Sequence, residues 1–313
     1  MSYQYEVIEE NGEIFDRLTD LSNSLRIQVR RKGAELFSIS KSDASGKRQG
    51  FLHRDGDLIP PVKGWANHAT VMGYYTHRLW DGHSNYRGHN IHAENHGFLR
   101  SFAFAAPDRK LAEEGKLTYL VPADHIPKEA YPYKVSLRLT YSLSQEAVDV
   151  EFLFENEESD IETHLSFGLH PGFAVSSLKN FQLLMPKGDY LVLEAPGNFL
   201  NGKAVPLAHQ GGDMPFPRKD LEGSFLVDIQ KIKSRTFVLT DPVLGHQIEL
   251  DYEEVPYITI WSERDDFLCV EPCWGLPDSN PQRSFDQKEG IQKIPPKGIL
   301  KKNFRIKPTF LVN

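Results

Sequence analysis

Three places in this sequence carry side chains able to move protons or hold a metal. The first is His83-Ser-Asn-Tyr-Arg-Gly-His89-Asn-Ile-His92-Ala-Glu-Asn-His96-Gly-Phe-Leu-Arg100, a dense group among the chain's 12 histidines. Imidazole and carboxylate are both zinc ligands, so a zinc hydrolase built on His83–His96 is one account. The spacing fits neither His-Glu-x-x-His nor a Cys/His finger. Gly88 and Gly97 also oppose a helix that would present the rings together. A polar loop with solvated histidines is the simpler account, and no metal is assigned. The second place is His170. In Thr163–Pro171, Leu165, Phe167 and Leu169 form an apolar face, while His164, Ser166, Gly168 and His170 form the other. His170 closes that polar face where Pro171-Gly172 is expected to turn the chain, either as a rigid, accessible catalytic side chain or as a turn cap. The third is Glu271, expected to end the strand Phe267-Leu268-Cys269-Val270-Glu271 before Pro272. A carboxylate after such residues is either desolvated and perturbed or tied into a structural ion pair.

The elements that must position these groups follow a period of two. Val135, Leu137, Leu139, Tyr141 and Leu143 alternate with Ser136, Arg138, Thr140 and Ser142, and Val148, Val150, Phe152 and Phe154 are set against Asp149, Glu151 and Glu155. Leu25–Val29, Phe237–Asp241, Gln247–Tyr252, Tyr257–Ser262, Phe267–Glu271 and Asn303–Ile306 read the same way. Helical period is confined to Ile14–Leu21 and Asp108–Glu114. With 20 prolines and 23 glycines as punctuation, the pattern predicts an all-β antiparallel sandwich with few short helices. No repeat or long linker divides residues 1–313, so a single domain is expected.

Several classes of function are excluded. There is no Gly-x-Gly-x-x-Gly after a strand, no phosphate-binding Gly-x4-Gly-Lys-Ser/Thr and no Gly-x-Ser-x-Gly elbow. Lys and Arg total 36 against 43 Asp and Glu, for a net charge of −7 and no basic face for nucleic acid. No apolar run approaches the roughly 20 residues that span a bilayer, and no signal peptide is visible. Cys269 and Cys273, only four apart, are a poor disulfide framework. A cytoplasmic protein with free thiols is expected, with no nucleic-acid or membrane partner.

Taken together and in order, these motifs resemble the aldose 1-epimerase (galactose mutarotase) family, and more closely its mutarotase-related branch. Asn95-His96-Gly97-Phe98-Leu99-Arg100 is similar to its His-Gly-Phe-x-Arg signature, and Gly168-Leu169-His170-Pro171-Gly172-Phe173 to its second histidine motif. Leu268-Cys269-Val270-Glu271-Pro272, with Trp274-Gly275 and Asp278 beyond, is similar to its glutamate motif, and Gly33-Ala34-Glu35-Leu36 to its opening strands. The resemblance implies a large β-sandwich of the galactose mutarotase type whose open cleft interconverts the α and β anomers of a free sugar without a cofactor. It implies that Glu271 is the base taking the proton of the C1 hydroxyl, that His170 is the acid at the ring oxygen, and that His96 hydrogen-bonds nearby. An ionised Glu271 and a charged His170 would support each other.

Substrate contacts implied by the resemblance are Arg78 in Tyr75-Thr76-His77-Arg78-Leu79, whose fork of donors suits hydroxyls, and Glu222, the nearest acidic match in Asp220–Phe225. Phe173 and Trp274 are candidates to stack on the pyranose. Arg54, Arg87 and Arg100 are candidates for a phosphate if the sugar is a hexose 6-phosphate. A non-catalytic carbohydrate-binding protein on the same scaffold is the alternative. A glycoside hydrolase would need a second facing acid, which the sequence does not supply.

Overall fold

The computed structural model describes residues 2–311. Two eight-stranded antiparallel sheets carry most of the chain. One contains Lys116–Val121, Val135–Ser144, Ala147–Asn156, Ile299–Phe310, His246–Asp251 and Thr236–Asp241. The other contains Gly188–Leu193, Phe225–Asp228, Tyr257–Trp261, Phe267–Trp274 and Thr163–Ala174, with Ala69–Tyr74 branching onto Thr163–Ala174. Alternation explains how they join. Phe152, Phe154 and Phe304 from the first sheet meet Phe167 and Trp274 from the second, and all five are buried. Each such aromatic buries about 150–250 Å², so this seam contributes substantially to holding the two sheets together. A third, five-stranded sheet, formed by residues 3–50, docks through Tyr141, whose hydroxyl donates to the Ala34 carbonyl, and through Tyr119, which donates to buried Asp16.

The all-β sandwich expected from the alternating pattern is therefore the fold, and the short helix at Arg109–Glu113 falls where helical period was seen, capped by Asp108 accepting from the Leu111 amide. Ile14–Leu21 is a correction. All of it but Leu21 lies in the strand Glu13–Asp20, paired on both sides by Tyr3–Glu10 and Leu25–Arg30. The spacing that looked helical arises because polar Asp16 is itself buried, held by Arg31 and by the hydroxyls of Tyr5 and Tyr119. Among the described residues no helix is long and apolar enough to cross a membrane.

Two strand ends also differ from expectation. The strand holding His170 runs through Pro171-Gly172 to Ala174, and the strand holding Glu271 runs through Pro272 to Trp274. Proline is tolerated because the ladder between these strands is open there. Gly168 pairs with Cys273 and Gly172 with Cys269, but the three residues between on each strand are unpaired across this interface. Pro171 and Pro272 have no amide hydrogen to lose.

Candidate active site

The open stretch of ladder is where the two chemical groups face each other. The register on either side brings His170 opposite Glu271, and the Nε2 of His170 stands 3.4 Å from Oε1 of Glu271. Further pairing aligns Thr70 with His170 and Thr259 with Glu271. Thr70, His170, Glu271 and Thr259 thus form one row across four strands, on one face of the sheet. All four line a cleft of about 900 Å³, which Arg78, Asn95, His96, Arg100, Trp65 and Trp261 also line.

Burial sets the charge state of the pair. It pushes the Glu271 carboxyl well above the usual carboxylate range and lowers the His170 imidazole to about 3. Glu271 is 1% exposed and His170 8%, and neither Oε2 of the one nor Nδ1 of the other has a hydrogen-bond partner. Both shifts favour the uncharged forms in the free cleft, opposite in direction to the expectation of mutually supporting charges. Desolvation outweighs the attraction of two groups that lack further polar partners.

His96 is built for a different task. Its Nδ1 accepts the His77 amide at 3.1 Å, so its proton is carried on Nε2. The His96 amide returns a bond to the His77 carbonyl at 2.8 Å. Burial and the neighbouring His170, His77 and arginines keep it neutral. Both residues adopt the left-handed backbone region, φ 60° and 65°, which reciprocal bonding of this kind must hold in place. The following Gly97, φ 75°, admits no side chain, since a Cβ there would stand 2.2 Å from the Gly73 carbonyl oxygen.

A second tier fixes the loop carrying Arg78. Asp278 is fully buried and accepts from the Trp80 and Ser279 amides and the Gln282 side chain, while its own amide donates to the Arg78 carbonyl. Buried Lys288 lies 3.4 Å from the same carboxylate. Glu35 pairs with Arg30 and accepts the His68 amide just before the strand Ala69–Tyr74.

The structure brings Glu271, His170, His96 and Arg78 together around the cleft, and Arg100 with them. It does not bring Phe173, Trp274 or Glu222. Phe173 stands an odd number of residues from His170 and Trp274 an odd number from Glu271, so each points to the opposite face and into the core. Trp274 stacks on Phe167 with ring centres 5.0 Å apart and donates its indole hydrogen to the Glu254 carbonyl. Glu222 is exposed on the short turn Arg218–Gly223, where Leu221 rather than Glu222 points inward, and the cleft wall is made by Gly223–Leu226. Arg54 is spent on the carbonyls of Ala66, Asp57 and Ile59, and Arg87 lies by Asp286, so neither reaches the cleft. The histidine-rich stretch divides. His96 enters the cleft, while His83 and His92 face each other on an exposed two-stranded hairpin.

The aromatic groups at the site are ones the sequence reading did not select. Trp65 stacks on His170 at 4.8 Å, and Trp261 meets the same ring edge-on at 5.6 Å. Trp261 is paired with Cys269, so it shares Glu271's face, and that parity was readable in Tyr257-Ile-Thr-Ile-Trp261. Trp65 lies in a loop without period. It reaches the sheet because Gly172 leaves room: a Cβ there would lie 2.4 Å from the indole.

The sequence model of the aldose 1-epimerase family matches residues 17–291. The chain belongs to the aldose 1-epimerase family. The chain is 22% identical over 222 residues to the protein LacX of Lactococcus lactis subsp. lactis, covering 67% of this chain and 73% of that one. Its fold is similar to that of a galactose mutarotase related enzyme from Lactobacillus acidophilus, with TM-score 0.81, 19% identity and 99% of each chain covered. A galactose mutarotase-like protein from Lactobacillus casei gives TM-score 0.78 at 20% identity, covering 98% of this chain and 100% of that one.

Proposed function

We propose that this family member is a working aldose 1-epimerase that interconverts the α and β anomers of a hexose or hexose phosphate by acid/base ring opening. The observation that carries this is the His170–Glu271 pair, 3.4 Å apart at an open ladder beneath the cleft. Ring opening needs a base for the C1 hydroxyl proton and an acid for the ring oxygen. A neutral pair holds one proton between two sites. Passing it from Glu271 to His170 gives a carboxylate and an imidazolium without changing the net charge of the site.

A bound sugar favours that charged arrangement. Its C1 hydroxyl donates to the carboxylate, and its ring oxygen accepts from the imidazolium, supplying the polar partners that both groups lack in the free cleft. The Nε2–H of His96 is a second donor for the oxygen on which charge develops. The aldehyde then turns about C1–C2 and closes on its other face with the transfers reversed. Arg78 and Arg100 hold hydroxyls or a phosphate, and Trp65 and Trp261 replace Phe173 and Trp274 as the aromatic surfaces beside the ring.

Polarimetry with glucose, galactose and their 6-phosphates tests this. Acceleration over the spontaneous rate is expected from wild type, with a loss of about 10²–10⁴-fold in His170→Ala. Sugar binding without acceleration for any of the four would instead favour a carbohydrate-binding protein on this scaffold.

A further inference from the structure

Cys269 lies two residues before Glu271 on the same strand, so its thiol shares the face and the neighbourhood of the acid/base pair. We propose that Cys269, His170 and Glu271 form a binding site for one thiophilic divalent cation, zinc or cadmium, whose occupation silences the pair. One ligand atom from each of the three lies within 4.8 Å of the other two, and all three residues are buried. Zinc bonds of 2.0–2.1 Å to nitrogen and oxygen imply a tetrahedral edge of about 3.4 Å between those ligands, and about 3.6 Å to a sulfur. The His170–Glu271 separation of 3.4 Å already equals the first edge. Only the sulfur needs to close in, by about 1 Å at most.

The polar inventory points the same way. His170 and Glu271 meet only each other through Nε2 and Oε1, and their remaining polar atoms, Nδ1 and Oε2, are buried without hydrogen-bond partners. Cys273, further along the strand, has its sulfur 3.8 Å from the Thr259 hydroxyl and stands outside the cluster. The exposed His83–His92 pair supplies only two ligands. Binding at the buried site displaces the thiol and carboxyl protons, whose removal burial otherwise opposes. Affinity therefore rises with pH. The remaining coordination position is open to water or a sugar hydroxyl from the cleft. With its imidazole and carboxylate lone pairs on the metal, the pair can neither take nor give the anomeric proton.

Binding is read without turnover, so failure of the metal site and failure of the epimerase proposal are distinguishable. Cadmium is titrated into the chain while thiolate-to-metal charge-transfer absorption is followed, and zinc binding is measured by calorimetry. One equivalent is expected, with the absorption lost in Cys269→Ser, retained in Cys273→Ser, and zinc affinity lowered at least tenfold in Cys269→Ser and His170→Ala. Zinc should still bind the His83→Ala/His92→Ala double variant. No charge-transfer band in wild type, a band that disappears in Cys273→Ser, or zinc binding that vanishes with His83 and His92 would each overturn the proposal. The wild-type and Cys273→Ser titrations decide it even if Cys269→Ser does not fold.

Discussion

Replacing Glu271 by glutamine should make this protein more stable and nearly inactive, and the gain in stability should depend on pH. Burial raises the carboxyl's folded-state pKa above the ordinary value of about 4.5. Between that value and the raised one, the folded chain keeps a proton that the unfolded chain releases. Stability from this group is then complete below the unfolded pKa and is lost as pH rises toward the folded one. The loss is about 1.4 kcal/mol per pH unit. Glutamine has nearly the same shape and no titration, so it escapes the loss. The stability gap between Glu271→Gln and wild type should therefore widen as pH rises from 5, by up to about 1.4 kcal/mol, or roughly 2 °C in Tm, per unit until the raised folded-state value is reached. Urea unfolding of both proteins at pH 5, 6 and 7 measures the gap, and polarimetry on the same samples measures the rate, expected to fall about 10²–10⁴-fold. A gap that does not change with pH, or a glutamine variant less stable than wild type at pH 7, would mean that the fold stabilises an ionised Glu271 and would refute the neutral-pair account.

Burial lowers His170 to about 3 and raises Glu271, so neither group is expected to titrate as an ordinary imidazole near neutrality. The kcat/KM profile should lack the tenfold-per-unit fall above about 6.5 that an independent imidazolium would give. Gly172→Ala should push Trp65 off His170, given the 2.4 Å approach of the new Cβ, and raise KM for sugar by roughly fivefold, equivalent to about 1 kcal/mol of stacking. Steady-state kinetics with unchanged folding by circular dichroism would isolate that effect. Asp278→Ala strands the buried Lys288 ammonium and should cost about 3–5 kcal/mol in urea unfolding, more than any loss from Asp278→Asn. Trp274→Ala should likewise cost about 3–5 kcal/mol while leaving KM of the folded protein unchanged, since the indole lies in the core and not in the cleft.

The fold was legible because period-two alternation runs nearly the length of the chain and each apolar face has a partner sheet. His170 and Glu271, which the fold brings within 3.4 Å, could be picked out from residue type and motif, but their setting could not. Pro171 and Pro272 looked like strand ends because proline ordinarily interrupts a ladder, yet here the interruption lies inside two continuous strands. The error in Phe173 and Trp274 was one of parity. Each lies three residues from a cleft-facing group, and in a strand that separation reverses the face. Trp65 depends on a long-range approach to Gly172, which leaves no local periodic trace. Of the two readings open for Glu271, desolvated or ion-paired, the shifts favour the desolvated one, because burial here outweighs the attraction between the two groups.

Anomeric exchange by magnetisation-transfer NMR in D2O tests the central claim most directly. Wild type should speed exchange between the α and β H1 signals of at least one hexose or hexose phosphate while retaining hydrogen at C1 and C2, as ring opening requires, and His170→Ala should not. Absence of acceleration across these sugars, or equal acceleration by His170→Ala, would contradict the assignment of His170 and Glu271 as the pair that opens the ring.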